Sequence, residues 1–155
     1  MTPPKLTPTS SSADGNPRSA NMRANKSKNT SPELRVRRAL HALGVRFRLH
    51  DKRLPGKPDV VLPSRRAVVE VRGCFWHQHE GCRLASAPAR RMEYWGPKLA
   101  RTRQRDAENE AALTAAGWRV LVVWECATRD PERLAAAVQE VADIPRAPGR
   151  VSRPR

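Results

Sequence analysis

Val36, Ala39, Leu40 and Leu43 fall at the i, i+3, i+4, i+7 spacing of one helix face. Ahead of them, Thr30-Ser31-Pro32-Glu33 reads as a helix start: a threonine cap, a proline just inside it, and a glutamate three residues after the cap. Gly44 predicts the stop. Apolar residues and arginines then alternate over 45–49, which predicts a short strand, and Pro55-Gly56 predicts a turn. Residues 59–62 predict a second strand, Pro63-Ser64-Arg65-Arg66 a hairpin turn, and 67–71 a third strand. A long helix is predicted over 95–116, with Gly117 as its stop. The run WRVLVVW at 118–124 is almost wholly apolar, which predicts a strand buried on both faces. Asp130-Pro131-Glu132 opens a last helix reaching about Val141. The order α-β-β-β-α-β-α implies a single α/β domain with a mixed central sheet flanked by helices.

The pattern stops at both ends. Residues 1–17 carry Pro, Ser, Thr, Gly and Asn with few bulky apolar side chains, and too little burial to offset chain entropy predicts a disordered tail. Residues 145–155 read the same way, as a disordered basic tail, which leaves 18–144 for the folded domain. No apolar run approaches the roughly 20 residues of a spanning helix, and the amino terminus is too polar for a secretory leader. The expected location is the cytoplasm, without membrane contact.

Charge narrows the partner. The chain of 155 residues has 30 Lys and Arg against 15 Asp and Glu, a formal net charge of +15. That excess favours a polyanion, and nucleic acid is the candidate a soluble chain can use. The three cysteines, Cys74, Cys82 and Cys126, are an odd number without a secretory leader, which argues for metal binding over a disulfide framework.

Two carboxylates carry the first piece of chemistry. Asp59 begins one strand and Glu70 lies near the end of the next, so a tight turn between them brings both to one edge of the sheet. Such a pair offers hard oxygen ligands to Mg²⁺, which keeps several waters and shares phosphate oxygens. Arg72, two positions past Glu70, points to the same face of its strand and is placed to stabilise charge on a scissile phosphate. The Pro58-Asp59…Glu70-x-Arg72 pattern and the element order around it resemble the PD-(D/E)xK nuclease superfamily. A surface hairpin with ordinary salt bridges is the plain structural alternative.

Directly downstream, Cys74-x4-His79-x2-Cys82 supplies three metal ligands, and Cys126, just past the apolar strand, is a fourth. A Cys₃His set closes a tetrahedral structural zinc site with no open position. His77 competes with His79 for that role, and spacing leaves the choice open.

With Gly73-Cys74-Phe75-Trp76-His77-Gln78-His79-Glu80-Gly81-Cys82 in place, the chain resembles the very short patch repair endonucleases, the Vsr family, over roughly 18–128. The matching strings include Asn29-Thr30, Leu54-Pro55-Gly56-Lys57-Pro58-Asp59, Glu93-Tyr94-Trp95, Gly117-Trp118-Arg119-Val120 and Val123-Trp124-Glu125-Cys126. The resemblance implies a restriction-endonuclease-like fold and a Mg²⁺-dependent nick in duplex DNA on the 5′ side of the thymine of a T:G mismatch, repairing deaminated 5-methylcytosine. It implies Asp59 as the main magnesium ligand and His77 as the catalytic histidine, oriented by Asp106. It gives Glu33 an acidic role near the metal, beside its reading as a capping-box residue, while Asp106 also fits an ordinary helix salt bridge. Phe75, Trp76 and Trp95 resemble the family's intercalating aromatics, wedges that open a weakened base step. Residues 18–30 resemble its DNA-contacting arm. Trp118 and Trp124 are assigned to packing.

The chain departs from the pattern in one place. The best-known members carry Thr-His where Val71-Arg72 stand and lack an acid at the Glu70 position. The magnesium site is therefore expected to use Asp59, Glu70 and the Val71 carbonyl. A related nuclease of other specificity and a non-catalytic, zinc-stapled DNA-binding module remain the alternatives. A monomer is expected on an asymmetric substrate, with a mismatch-recognition protein as a possible partner.

Overall fold

The computed structural model describes residues 28–86 and 90–148. The amino-terminal tail, most of the 18–30 arm and residues 149–155 of the basic tail lie outside these. The elements run α1 (Ser31–Ala42), β1 (Arg48–Leu49), β2 (Val60–Leu62), β3 (Ala67–Arg72), α2 (Met92–Ala115), β4 (Arg119–Trp124), α3 (Glu125–Thr128) and α4 (Pro131–Asp143). The result is a mixed α/β fold with one four-stranded sheet in the order β1-β2-β3-β4. β1, β2 and β3 form an antiparallel meander, and β4 returns parallel to β3 after a crossover that contains α2. Among the described residues no helix is long and apolar enough to cross a membrane.

Alternation along the strands sorts side chains onto the two faces. Val60, Leu62, Ala67, Val69 and Val123 pack with Val36 and Leu40 of α1 and with Val138 and Val141 of α4. Val61 and Val68 point the other way, onto Leu113 of α2, with Trp118 and Val120 alongside. Each such fully buried Val or Leu stabilises the fold by about 1.5–3 kcal/mol. The sheet is thus sandwiched between α1 with α4 and α2, and the ends of β2 and β3 are fixed relative to both layers.

Four expectations need correction. β1 is only Arg48–Leu49: Val45 and Phe47 do reach the core, but only 48–49 pair in the sheet, at its edge, and Leu49 is 43% exposed although a period of two would put it on their face. Leu43 is 44% exposed because it is the C-cap of α1, past the last full turn that carries the apolar stripe. β4 is half-buried rather than buried on both faces: it is an edge strand, Arg119 is exposed, and of its residues only Val123 is buried. The long helix also begins at Met92, ahead of the expected start, so Pro97 lies inside it.

Residues 63–65 form a single 3-10 turn, and Arg66 follows it with φ 50°. Arg65 donates to the Ile144 carbonyl, and the Ala147 N–H donates to Ser64 O at 2.7 Å. The chain just after α4 is thereby fastened to the β2–β3 turn.

Candidate active site and metal-ligand clusters

Register places His50, Asp59 and Glu70 level with one another where β1, β2 and β3 end. Leu49 pairs with Val60 and Val60 with Val69, and the His50 N–H continues the ladder to Asp59 O at 3.4 Å. The Asp59 carboxylate turns towards β3 and accepts the Val71 N–H at Oδ2, 2.7 Å. Around it the ligand atoms of Glu33, His50 and Asp59 all lie within 4.8 Å of one another. Glu33 is 4% exposed and accepts from Asn29 N at 3.0 Å and Arg37 Nη2 at 2.9 Å, while its own N–H reaches Thr30 Oγ1 at 3.4 Å. The capping position and the place beside Asp59 are therefore the same position. Arg37 Nε is the buried side-chain nitrogen without a hydrogen-bond partner among the described residues.

Burial pushes the Asp59 carboxyl up to about 7; the neighbouring Glu33 and Glu70 add to the rise and the Val71 N–H opposes it. A carboxylate so short of compensation is one that gains from a cation. Burial also holds His50 below its ordinary value.

Glu70 takes a different place from the one expected. Its Oε2 accepts from Arg72 Nε at 2.9 Å and Nη2 at 2.5 Å, and Arg72 also reaches Glu110 of α2 at 3.4 Å. Glu70 and Arg72 share the β3 face turned to α2, so the carboxylate is engaged there and is not among the mutually close donors around Asp59. The structure thus brings Asp59 and Val71 together and pairs Glu70 with Arg72. His50 is the neighbour that sequence reasoning missed. Its one signal was a histidine ending an alternating strand.

Beyond β3, a turn closed by the His77 N–H to Gly73 O at 3.1 Å carries His77 towards α2. There His77 Nδ1 lies 2.6 Å from Asp106 Oδ2. With Nδ1 engaged, Nε2 is the nitrogen left to exchange a proton with a reactant. The pair borders a cleft of roughly 390 Å³ also lined by Lys52, Lys57, Thr102, Arg105 and Asn109. At Gly56 (φ 70°) a Cβ would sit 2.7 Å from Asn109 Nδ2, so the loop before β2 packs on α2 only with glycine there.

The β3–β4 pairing ends at Arg72↔Trp124, and the start of α3 just beyond it brings Cys126 to Cys74, whose Sγ accepts the Cys126 N–H. His79 Nδ1 lies 3.6 Å from Cys74 Sγ and 3.5 Å from Cys126 Sγ, and with Cys82 the ligand atoms are mutually within 4.8 Å. A tetrahedral ion with metal–sulfur bonds of about 2.3 Å and metal–nitrogen bonds of about 2.0 Å has sulfur–nitrogen edges of about 3.5 Å. The donor set fits that geometry, and His77 is not part of it. The His79 ring stacks on Trp124 at 4.1 Å, and the Cys126 N–H donates to Cys74 Sγ at 3.4 Å. Burial pushes the Cys74 thiol up to about 12, while the Leu84 N–H holds Cys82 below its ordinary value.

Phe75, Trp76 and Trp95 meet edge to face, with centroids 5.3 Å apart for Phe75–Trp76, 5.5 Å for Phe75–Trp95 and 5.6 Å for Trp76–Trp95. All three are half-buried, and Tyr94, 51% exposed, extends the patch by meeting Trp95 edge to face at 5.0 Å. Trp118 lies under the Arg66 guanidinium at 4.8 Å and against the smaller core cluster.

Residues 11–83 match the family described as DNA mismatch endonuclease Vsr. The chain is 54% identical over 118 residues to the type II nicking enzyme V.XorIIP of Xanthomonas oryzae pv. oryzae, covering 76% of this chain and 86% of that one. It is 44% identical over 117 residues to the DNA mismatch endonuclease Vsr of Escherichia coli (strain K12), covering 76% and 74%. This chain belongs to the Vsr family. It is a DNA endonuclease, which removes the non-catalytic binding module from the alternatives. The type II nicking enzyme V.NmeAIP of Neisseria meningitidis is a further relative, 40% identical over 121 residues, covering 76% of this Vsr-family chain and 86% of that one.

Proposed function

We propose that this endonuclease nicks duplex DNA on the 5′ side of the thymine in a T:G mismatch, as a monomer with a restriction-endonuclease-like core. The observation that carries the reading is the half-buried Asp59 carboxylate at the strand ends, in the same domain as the His77–Asp106 pair and the aromatic patch. Names of the relatives, a mismatch endonuclease and nicking enzymes, support it.

Asp59 and the Val71 carbonyl hold Mg²⁺; the N–H and C=O of one strand residue point to the same neighbour, so the carbonyl faces Asp59 as the N–H does. The cation supplies Lewis acidity at the phosphate and an activated water. Glu33 adds negative charge beside that site. Glu70 stays with Arg72 and keeps the guanidinium turned towards the phosphate path. His77 moves a proton at Nε2, and Asp106 fixes its tautomer and orientation. Lys52, Lys57 and Arg105 line the cleft beside His77 and receive backbone phosphates. Cys74, His79, Cys82 and Cys126 hold a structural Zn²⁺ that locks the turn carrying Phe75, Trp76 and His77 to β4. Phe75, Trp76 and Trp95 enter the mismatched step, which costs less to unstack than a paired one.

End-labelled duplexes with one T:G mismatch or none, incubated with Mg²⁺, test the reading. A nick confined to the thymine strand of the mismatch is expected. Equal cutting of both duplexes refutes mismatch specificity and leaves a nuclease of other preference.

A further inference from the structure

His50 is the neighbour of Asp59 that neither strand pattern nor family string singled out. Its Nε2 lies 2.9 Å from Arg37 Nη2. A guanidinium has only donors, so the nitrogen facing it must carry the lone pair. Neutral imidazole holds one proton, which then resides on Nδ1. That nitrogen faces Asp59 Oδ1 at 4.0 Å. The other carboxylate oxygen, Oδ2, already takes the Val71 N–H.

Arg37 is well placed to enforce this tautomer. Its side chain is 11% exposed and pinned by Asn29 Oδ1 at 2.7 Å and Glu33 Oε2 at 2.9 Å. The backbone commits to the arrangement too. His50 has φ 46°, a left-handed conformation that is unfavourable for a non-glycine residue. In that conformation its N–H still reaches the Asp59 carbonyl.

We propose that His50 is a positioning residue for Asp59: Arg37 fixes its proton on Nδ1, and this N–H selects the carboxylate orientation that receives the divalent cation. The inference rests on Asp59 being a cation ligand. A separation of 4.0 Å is too long for a direct hydrogen bond. The N–H therefore acts on the carboxylate through its field or one water, which leaves Oδ1 a free lone pair. Direct coordination through Nδ1 is disfavoured, because it moves the proton to Nε2 and sets N–H against the Arg37 donors. Glutamine can reproduce the pattern, with its carbonyl to Arg37 and its amide N–H to Asp59.

The test uses the full chain with its zinc retained, without DNA. Nitrogen NMR of the histidines, with the His50 signals assigned by their loss in His50→Gln, reads the tautomer directly; Mn²⁺ binding is read from the spectrum of the free ion. A protonated Nδ1 and bare Nε2 are expected at His50. Mn²⁺ affinity is expected to stay within about threefold in His50→Gln and to fall about tenfold or more in His50→Phe. A proton on Nε2 overturns the inference, and so does a His50→Gln loss equal to that of His50→Phe, which assigns the imidazole itself to the cation. Unchanged binding in His50→Phe also overturns it, provided Asp59→Asn abolishes binding. If Asp59→Asn binds Mn²⁺ like wild type, the ligand role of Asp59 fails first and the inference falls with it. The tautomer measurement needs no His50→Phe protein and stands if that variant does not fold.

Discussion

His77 Nδ1 and Asp106 Oδ2 lie 2.6 Å apart, joining the turn after β3 to the middle of α2. A carboxylate at that distance holds the proton on Nδ1 and leaves Nε2 to act on a reactant. His77→Ala is expected to lower the single-turnover nicking rate by about 10²–10⁴-fold. Asp106→Asn keeps the imidazole and is expected to cost less, with DNA affinity unchanged in both variants. Nicking kinetics beside fluorescence anisotropy check this; equal loss of affinity and rate would mean that the pair serves binding.

The Cys₃His cluster predicts one tightly held Zn²⁺ per chain. Replacing Cys126 by Ser breaks the link between the turn after β3 and the start of α3. Zinc loss and a fall in Tm of about 10 °C or more are expected. Elemental analysis with thermal unfolding measures both. A zinc-free wild type of unchanged Tm contradicts the assignment.

Asp59 predicts a pH dependence of stability with a definite sign. Its folded value of about 7 lies above the ordinary 3.8, so the folded chain binds this proton more tightly than the unfolded one. The stabilisation is full below about pH 4 and is lost as pH rises to about 7, at most about 4 kcal/mol for this group. Urea unfolding of zinc-loaded protein without Mg²⁺ is expected to show that slope, and Asp59→Asn to flatten it. Mg²⁺ binding is expected to release about one proton per ion near pH 6 and almost none at pH 8.5.

Trp76 touches Phe75 and Trp95 edge to face and is half-exposed, so its removal opens the wedge without emptying a core. Trp76→Ala is expected to weaken binding to a T:G duplex by about 10–100-fold and binding to a paired duplex much less. Competition binding with the two duplexes checks it. Equal weakening of both would make Trp76 a general contact.

How far the sequence reached depends on the range of each interaction. The α1 start was legible because capping acts within four residues, and Thr30 and Glu33 do lie in that relation. The clustering of Cys74, His79 and Cys82 was legible because they sit in one short string. His50 was not, since its meaning comes from Arg37 on a helix and Asp59 on a neighbouring strand. The Glu70 ion pair was hidden for a related reason. Register puts Glu70 level with Asp59, but alternation gives Glu70 the β3 face turned to α2, where Arg72, also in reach of Glu110, engages the carboxylate. The apolar string of β4 suggested double burial, although it lies at the sheet edge, where a single neighbouring strand leaves it half open.

The most direct test of the account is single-turnover nicking of a T:G duplex with Mg²⁺ by Asp59→Asn and Glu70→Gln. Fold and DNA binding are verified first. Asp59→Asn is expected to abolish the nick, while Glu70→Gln, which loses only the charge opposite Arg72, stays within about tenfold of wild type. Cleavage that survives in Asp59→Asn and disappears in Glu70→Gln would contradict a site centred on Asp59.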